Sequence, residues 1–207
     1  MSEMGGEGKK AEQSEATRRT LIRVSRRLFA KKGYAGTSIA DITRAAKVTR
    51  GALYHHFATK EALFFAVYED LERELTDRIM SAIGDMPPER HLTLGCKAFL
   101  DACLDPAVQR VVLIDATSVL DLESREAMAQ QYGLRMVRVG VERAIDAGHL
   151  EKQPVDPLAR ILLGGLIEAG LVITRADDPK AARRQVDKAM ARLIEGLKPP
   201  GKRKTPH

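Results

Sequence analysis

Three Asp-Pro pairs, Asp105-Pro106, Asp156-Pro157 and Asp178-Pro179, punctuate the second half of this 207-residue chain. An aspartate caps the free amides at a helix start. Proline fits just inside that start, because its missing N–H would have no partner there. The pairs therefore predict helices over about 106–116, 157–175 and 179–197, with others at 88–104 and 123–147. Upstream, Leu21, Val24 and Leu28 share a stripe with Ile22 and Phe29 beside it, which predicts a helix from near Thr17 to Lys32, stopped by Gly33. Ser38 with Asp41 reads as a capping box opening a helix through Ala46. A short helix follows from Arg50 to Phe57, then a long one from Thr59 to Ile83, before Gly84, Asp85, Pro87 and Pro88 break the chain. Strand alternation, hairpin dipeptides and internal repeats are lacking, so the expected fold class is all-α with about nine helices. With 44% apolar residues but only 4% aromatic and no Trp, its core must be built from small and aliphatic side chains.

Charge is unevenly placed. Residues 1–60 carry 13 Lys and Arg against 5 Asp and Glu, whereas the remainder carries 21 against 23. A short basic tail adds Lys198, Lys202, Arg203 and Lys204. A small basic end on an otherwise acidic protein is the electrostatic footprint expected for a polyanion. Cys96 and Cys103 would lie about 10 Å apart along one helix, too far for a disulfide, which favours a reducing, cytoplasmic setting. Met1–Lys10 is polar and has no signal-peptide pattern. The apolar stretch Ile161–Thr174 is interrupted by Glu168 and is too short to span a bilayer, so no membrane partner is expected. The expected division is a disordered arm over 1–13, a small basic helical domain over 14–60, a larger helical domain over 61–197 and a disordered basic tail over 198–207.

Three short helices within 17–57, with a tight turn between the last two, form the skeleton of a helix-turn-helix. Ile42, Ala45 and Ala46 suit its inner positions, Val48 points inward from the turn, and Thr49, Arg50, Tyr54 and His55 offer a polar face to base edges. The run Thr37-Ser38-Ile39-Ala40-Asp41-Ile42, then Ala46-Lys47-Val48-Thr49-Arg50-Gly51-Ala52-Leu53-Tyr54-His55-His56-Phe57, then Lys60 and Leu63, resembles the signature of TetR-family transcriptional regulators. Upstream, Leu28-Phe29 and Gly33-Tyr34 fit as well, and the resemblance covers residues 17–65. One position departs: the family's usual turn glycine is Lys47 here, and a left-handed residue other than Gly costs roughly 1 kcal/mol.

The resemblance implies an N-terminal DNA-binding domain, a C-terminal ligand-binding and dimerisation domain, and a homodimeric repressor released from a pseudo-palindromic operator by a small molecule. A regulator without an effector, or an activator, is the alternative. Thr37 and Ser38 open a helix suited to a phosphate. Thr43, Arg44 and Lys47 suit backbone contact, Arg50 suits bidentate reading of guanine, and Thr49 and Ala52 suit a thymine methyl. Gly51 allows close approach. Tyr54, His55 and His56 suit phosphate or groove contacts, and Lys60 matches the family's phosphate-contacting lysine. Adjacent histidines point about 100° apart on a helix and lack Cys or Glu partners, so no metal is expected. Leu53 and Phe57 read as core.

In the second domain the helix at 157–175 is apolar nearly all round, and Gly164, Gly165, Ala169 and Gly170 permit close helix approach. With the last helix it resembles the family's dimer interface, through Leu162, Gly165, Ala169, Val172, Val186, Met190, Leu193, Ile194 and Leu197. Candidate effector-lining residues are Phe99, Cys103, Val111, Tyr132, Met136, Ile167 and Leu171. Asp115 and Glu168 are carboxylates in apolar settings, which need either a ligand's donor or an internal arginine such as Arg110 or Arg135. Walker, dinucleotide, zinc-protease and nucleophile-elbow patterns are lacking, so neither catalytic residues nor a cofactor is expected.

Overall fold

A computed structural model describes residues 4–202. Among these residues the chain is helical without strands: α1 Met4–Lys32, α2 Ile39–Ala46, α3 Arg50–His56, α4 Lys60–Ile83, α5 Pro88–Ala102, a π-helix Val108–Asp115 continuing into α6 Ala116–Val119, α7 Leu122–Gln131, α8 Gly133–Asp146, α9 Val155–Arg175 and α10 Pro179–Gly196. Side-chain caps set several starts: Ser38, Thr49, Thr59, Asp121 and Asp178 each accept a first-turn amide. Asp105 likewise accepts the Ala107 N–H at 2.8 Å.

Four boundaries differ from expectation. α1 begins at Met4, so most of the supposed arm is helical; Ala, Glu, Gln and Lys there favour a helix, and Glu15 pairs with Arg19 at 3.4 Å. α9 starts at Val155, which leaves Asp156 in its first turn and paired with Arg138 and Arg160 instead of capping. The helix expected over 123–147 is broken at Tyr132, whose φ of −119° and ψ of −92° separate α7 from α8. The segment expected over 106–116 is wound largely as a π-helix. Of the basic tail, Pro200–Lys202 forms a single 3-10 turn, and residues 203–207 lie outside the described residues.

Two apolar clusters form the interior. The head cluster joins Leu21 and Phe29 of α1, Ile42 of α2 and Leu53 of α3 to Leu63, Phe64, Val67 and Leu71 of α4, so it does not stop at residue 60. It also takes in Val108, Val111 and Ala116. The body cluster gathers Leu75 and Ile79 of α4 with the inner faces of α5, α8, α9 and α10, and includes Leu113. Both α4 and the π-helix thus belong to both clusters. α9 is long and apolar enough to cross a membrane by length and composition, yet it packs against α5, α8, α10 and the π-helix.

At Gly170 a Cβ would fall 2.9 Å from Leu113 Cδ1 and 3.0 Å from Cys103 Sγ, whereas at Gly164 it would meet nothing within 4 Å. Gly170→Val should therefore destabilise the fold by about 1–3 kcal/mol through overpacking, and Gly164→Ala should not. Thermal unfolding of the two variants beside the parent checks this; equal melting temperatures would contradict the packing described.

Candidate DNA interface and internal cavity

The α2–α3 turn is closed by Lys47 N–H on Arg44 O at 3.3 Å and Val48 N–H on Thr43 O at 3.1 Å. Lys47 has φ 56° and ψ 42° and is the one non-glycine residue with positive φ among the described residues. The strain expected from the departure at this turn is therefore present. Ser38 and Asp41 make the reciprocal capping box, and Lys32 lies 3.2 Å from the Asp41 carboxylate. Asp41's pKa lies below the usual carboxylate range because it accepts first from the Ser38 backbone and then from Lys32.

Ser38, Arg44, Lys47, Thr49, Arg50, Gly51, Tyr54 and His55 are exposed, while Thr43, Ala52 and His56 are half-buried. Arg50 reaches along α3 to the Tyr54 hydroxyl at 3.4 Å and lies over its ring. Eleven of the expected DNA-contacting residues are thus exposed or half-buried on the head. His55 and His56 have no third metal-ligand type beside them among the described residues. Ala45, expected inside, is exposed; Ile42 alone of α2 is fully buried.

Of the two other expected phosphate contacts, Thr37 faces inward and Lys60 is half-buried. Thr37 is 1% exposed; its hydroxyl donates to Gly33 O at 2.8 Å and its N–H to Tyr34 O at 3.2 Å. It is a turn residue with its polar groups already used. Lys60 donates to Tyr34 O at 2.6 Å and sits 4.0 Å from the centre of that ring. Burial lowers its pKa, against the opposing pull of Glu61 and Asp115.

Asp115, expected near a ligand, is buried at the end of the π-helix and faces the head. It accepts the Tyr34 N–H at 2.6 Å. Arg110 Nε is 3.0 Å from its other oxygen, close enough for an ion pair although not aligned for a hydrogen bond. Gly33, with φ +73°, permits this approach, since a Cβ there would run into the Arg110 guanidinium.

The body holds a partly open cavity of about 760 Å³, walled by α4, α5, α7, α8, α9, the π-helix and α6. Of the expected lining residues, Phe99, Met136 and Ile167 face it. Cys103, Val111, Tyr132 and Leu171 do not. Cys103 is packed behind Gly170, Val111 lies in the head cluster, Tyr132 borders that cluster at the α7–α8 break, and Leu171 packs on the body cluster. Glu168 is also outside it: exposed on α9, it lies 3.7 Å from Arg175. Burial pushes the Cys96 and Cys103 thiols up to about 12, which keeps them protonated and poorly nucleophilic.

Sequence reasoning missed Glu72 and Tyr68. Both line the cavity from α4, one turn apart, with their side chains hydrogen-bonded to each other. Glu72 lies within Glu69-Asp70-Leu71-Glu72-Arg73-Glu74, which reads as a solvated charge run. The available signal was spacing, since Tyr68, Glu72, Leu75 and Ile79 fall on one helical stripe. Burial raises the Glu72 pKa to about 7, partly countered by the Tyr68 hydrogen bond. Arg125 also lines the cavity, and its Nε is buried without a hydrogen-bond partner.

Residues 21–67 match the family described as bacterial regulatory proteins, tetR family, and residues 90–197 match the tetracyclin repressor-like C-terminal domain. The chain belongs to the TetR family. It is a transcriptional regulator of that DNA-binding family, whose members are regulators rather than enzymes. A TetR-family regulator from Pectobacterium atrosepticum has 32% identity and a TM-score of 0.76 over 90% of this chain and 96% of that one. The HTH-type transcriptional regulator CymR of Pseudomonas putida is 28% identical over 81% of this chain and 74% of its own length. AibR, solved with isovaleryl coenzyme A and operator DNA, shares the fold at 20% identity and a TM-score of 0.64, over 89% of this chain and 99% of that one.

Two outcomes follow for this TetR-family chain. Lys47→Gly should be more stable than Lys47→Ala by about 1 kcal/mol, because only glycine adopts the left-handed turn without strain; equal unfolding free energies would contradict that. The second concerns acidity. The folded Glu72 pKa lies above the ordinary value of 4.5. Its contribution to stability is thus fully present below pH 4.5 and is lost as pH rises through about 7. Glu72→Gln should gain about 1–3 kcal/mol over the parent at pH 8 and little at pH 4. Parallel denaturant titrations check this; a pH-independent difference would contradict the buried acid.

Proposed function

We propose that the protein is a cytoplasmic, homodimeric repressor that leaves a pseudo-palindromic operator when a small molecule fills the body cavity. The observation that carries this is the shared π-helix: Val112 and Leu113 wall the cavity, while Asp115, at the end of the same segment, holds the backbone of the head at Tyr34. π-helical turns are often found at functional sites. A ligand that pushes on Val112 and Leu113 acts on the segment that orients the DNA-binding head. By linkage it weakens operator binding only if it favours a head position that the operator does not fit.

The operator face comprises Ser38, Thr43, Arg44, Lys47, Thr49, Arg50, Gly51, Ala52, Tyr54, His55 and His56. Arg50 is the base reader and the Arg44 and Lys47 side chains the backbone contacts. Two such heads would enter successive major grooves about 34 Å apart. For the dimer, exposure favours one face of α9 and α10. Ile161 is 71% exposed, Val172 43% and Leu193 62%, with Gly165 open between them. Of the residues expected there, Leu162, Ala169, Met190 and Ile194 are buried within the chain's own core, and Val186 and Leu197 are half-buried against it. The revised face is therefore Ile161, Gly165, Val172 and Leu193. A cavity of this size speaks against a regulator without an effector.

Gel-shift binding to the DNA upstream of the protein's own gene, over a salt series and beside Arg50→Ala, tests the reading. Parent binding should fall steeply as salt rises. The variant should lose about 1–3 kcal/mol of discrimination at one base position while keeping non-specific binding. If that DNA and a genome-wide binding selection both yield nothing above non-specific affinity, the operator-binding reading fails.

A further inference from the structure

We propose that the cavity selects an apolar molecule carrying a protonated amine, which Glu72 and Tyr68 receive as an anchoring pair. This rests on the effector reading of the cavity given above, and names the ligand class.

Most of the wall is apolar: Leu75, Ile79, Leu92, Phe99, Leu134 and Leu166 face the space. Such a surface binds hydrocarbon without orienting it, so selectivity falls to the few polar groups that interrupt it. Of these, Glu72 is the one set deepest in the protein without a counter-charge. Among the described residues no lysine, arginine or histidine nitrogen comes within 4 Å of its carboxylate, and Tyr68 is its one hydrogen-bonded side chain. It retains accessible surface because it fronts the cavity.

The other ionisable groups on the wall differ. Glu126 of α7 is 3.0 Å from Arg160 of α9, and Arg143 of α8 is 3.3 Å from a His91 nitrogen of α5. Arg135 of α8 is exposed, and the Cys96 thiol of α5 is held protonated. Arg125 of α7 acts on Tyr68 and is not among the groups that set the Glu72 acidity. Of the elements packed on α4, α1 and the π-helix bring Arg26 and Arg110, which are committed to Glu74 and Asp115.

A carboxylate held in protein without a cation pays for desolvation without recovering it. A ligand ammonium supplies the missing charge and hydrogen bonds, while its apolar body covers the remaining wall. A neutral alcohol supplies one donor and no charge. A carboxylate in the same place adds a second negative charge beside Glu72 and is rejected.

Calorimetric titration of the full-length protein with diphenylpropylamine, diphenylpropanol and diphenylpropanoate at pH 8 tests this, repeated on Glu72→Gln, whose folding is checked by circular dichroism. The amine should bind at least about tenfold more tightly than the alcohol and the propanoate most weakly. In Glu72→Gln the amine's advantage should shrink to about threefold or less. The proposal is overturned if the propanoate binds as well as the amine, in which case Arg125 sets the chemistry. It is equally overturned if Glu72→Gln keeps the amine's advantage. In both cases the probes still bind, and the effector reading stands. Binding of none of the three would overturn both.

Discussion

The Asp115 carboxylate is the contact on which the relation between head and body turns. One oxygen holds the Tyr34 N–H at 2.6 Å and the other faces Arg110 at 3.0 Å. Lys60 approaches the same tyrosine from α4, bonding its carbonyl and lying over its ring. Tyr34 follows Gly33, where α1 ends, and precedes Thr37 and the capping box of α2. The backbone leading into the helix-turn-helix is therefore gripped from the π-helix and from α4, the two elements that run from the head cluster into the body cluster. Removing a buried acceptor of this kind leaves a desolvated donor behind, at a cost of about 1–3 kcal/mol.

This junction gives Lys60 and Thr37 a different meaning from the one their motif suggests. Both belong to the TetR-like signature, and a signature records which residue type stands at a position without recording which way it points. Here the Thr37 hydroxyl donates to Gly33 O and Lys60 gives one of its three N–H groups to Tyr34 O, so both also hold the head in shape. Arg44, Lys47 and Arg50 are exposed on the head, and the first 60 residues carry the excess of positive charge that a polyanion would feel at long range.

Local chemistry made much of the architecture legible. The capping box at Ser38 and Asp41, the start at Asp178-Pro179 and the stop at Gly33 are set by hydrogen bonds between near neighbours in sequence, so the residues reveal them directly. The same holds for Lys47, whose left-handed turn follows from a departure at one motif position. What depends on distant packing was not legible. The inner and outer faces of α9 could not be separated while both were apolar, and Leu162 and Ala169 turn inward where Ile161 and Val172 do not. Glu72 was hidden in a charged run, because only the fold of α5 and α8 against α4 decides that its face is internal. The π-helical winding of 108–115 leaves no mark in its apolar pattern, and Asp115 at its end bonds the head and is not among the cavity-lining residues.

The most direct test is a joint measurement on Asp115→Ala and Asp115→Asn: amide hydrogen exchange at Tyr34 and affinity for the operator. If the carboxylate secures the head, the Tyr34 amide should exchange faster in Asp115→Ala by about tenfold or more, and operator affinity should fall with it. Asp115→Asn, which keeps an acceptor oxygen, should lie between that variant and the parent. Unchanged exchange at Tyr34 together with unchanged operator affinity in Asp115→Ala would contradict the account.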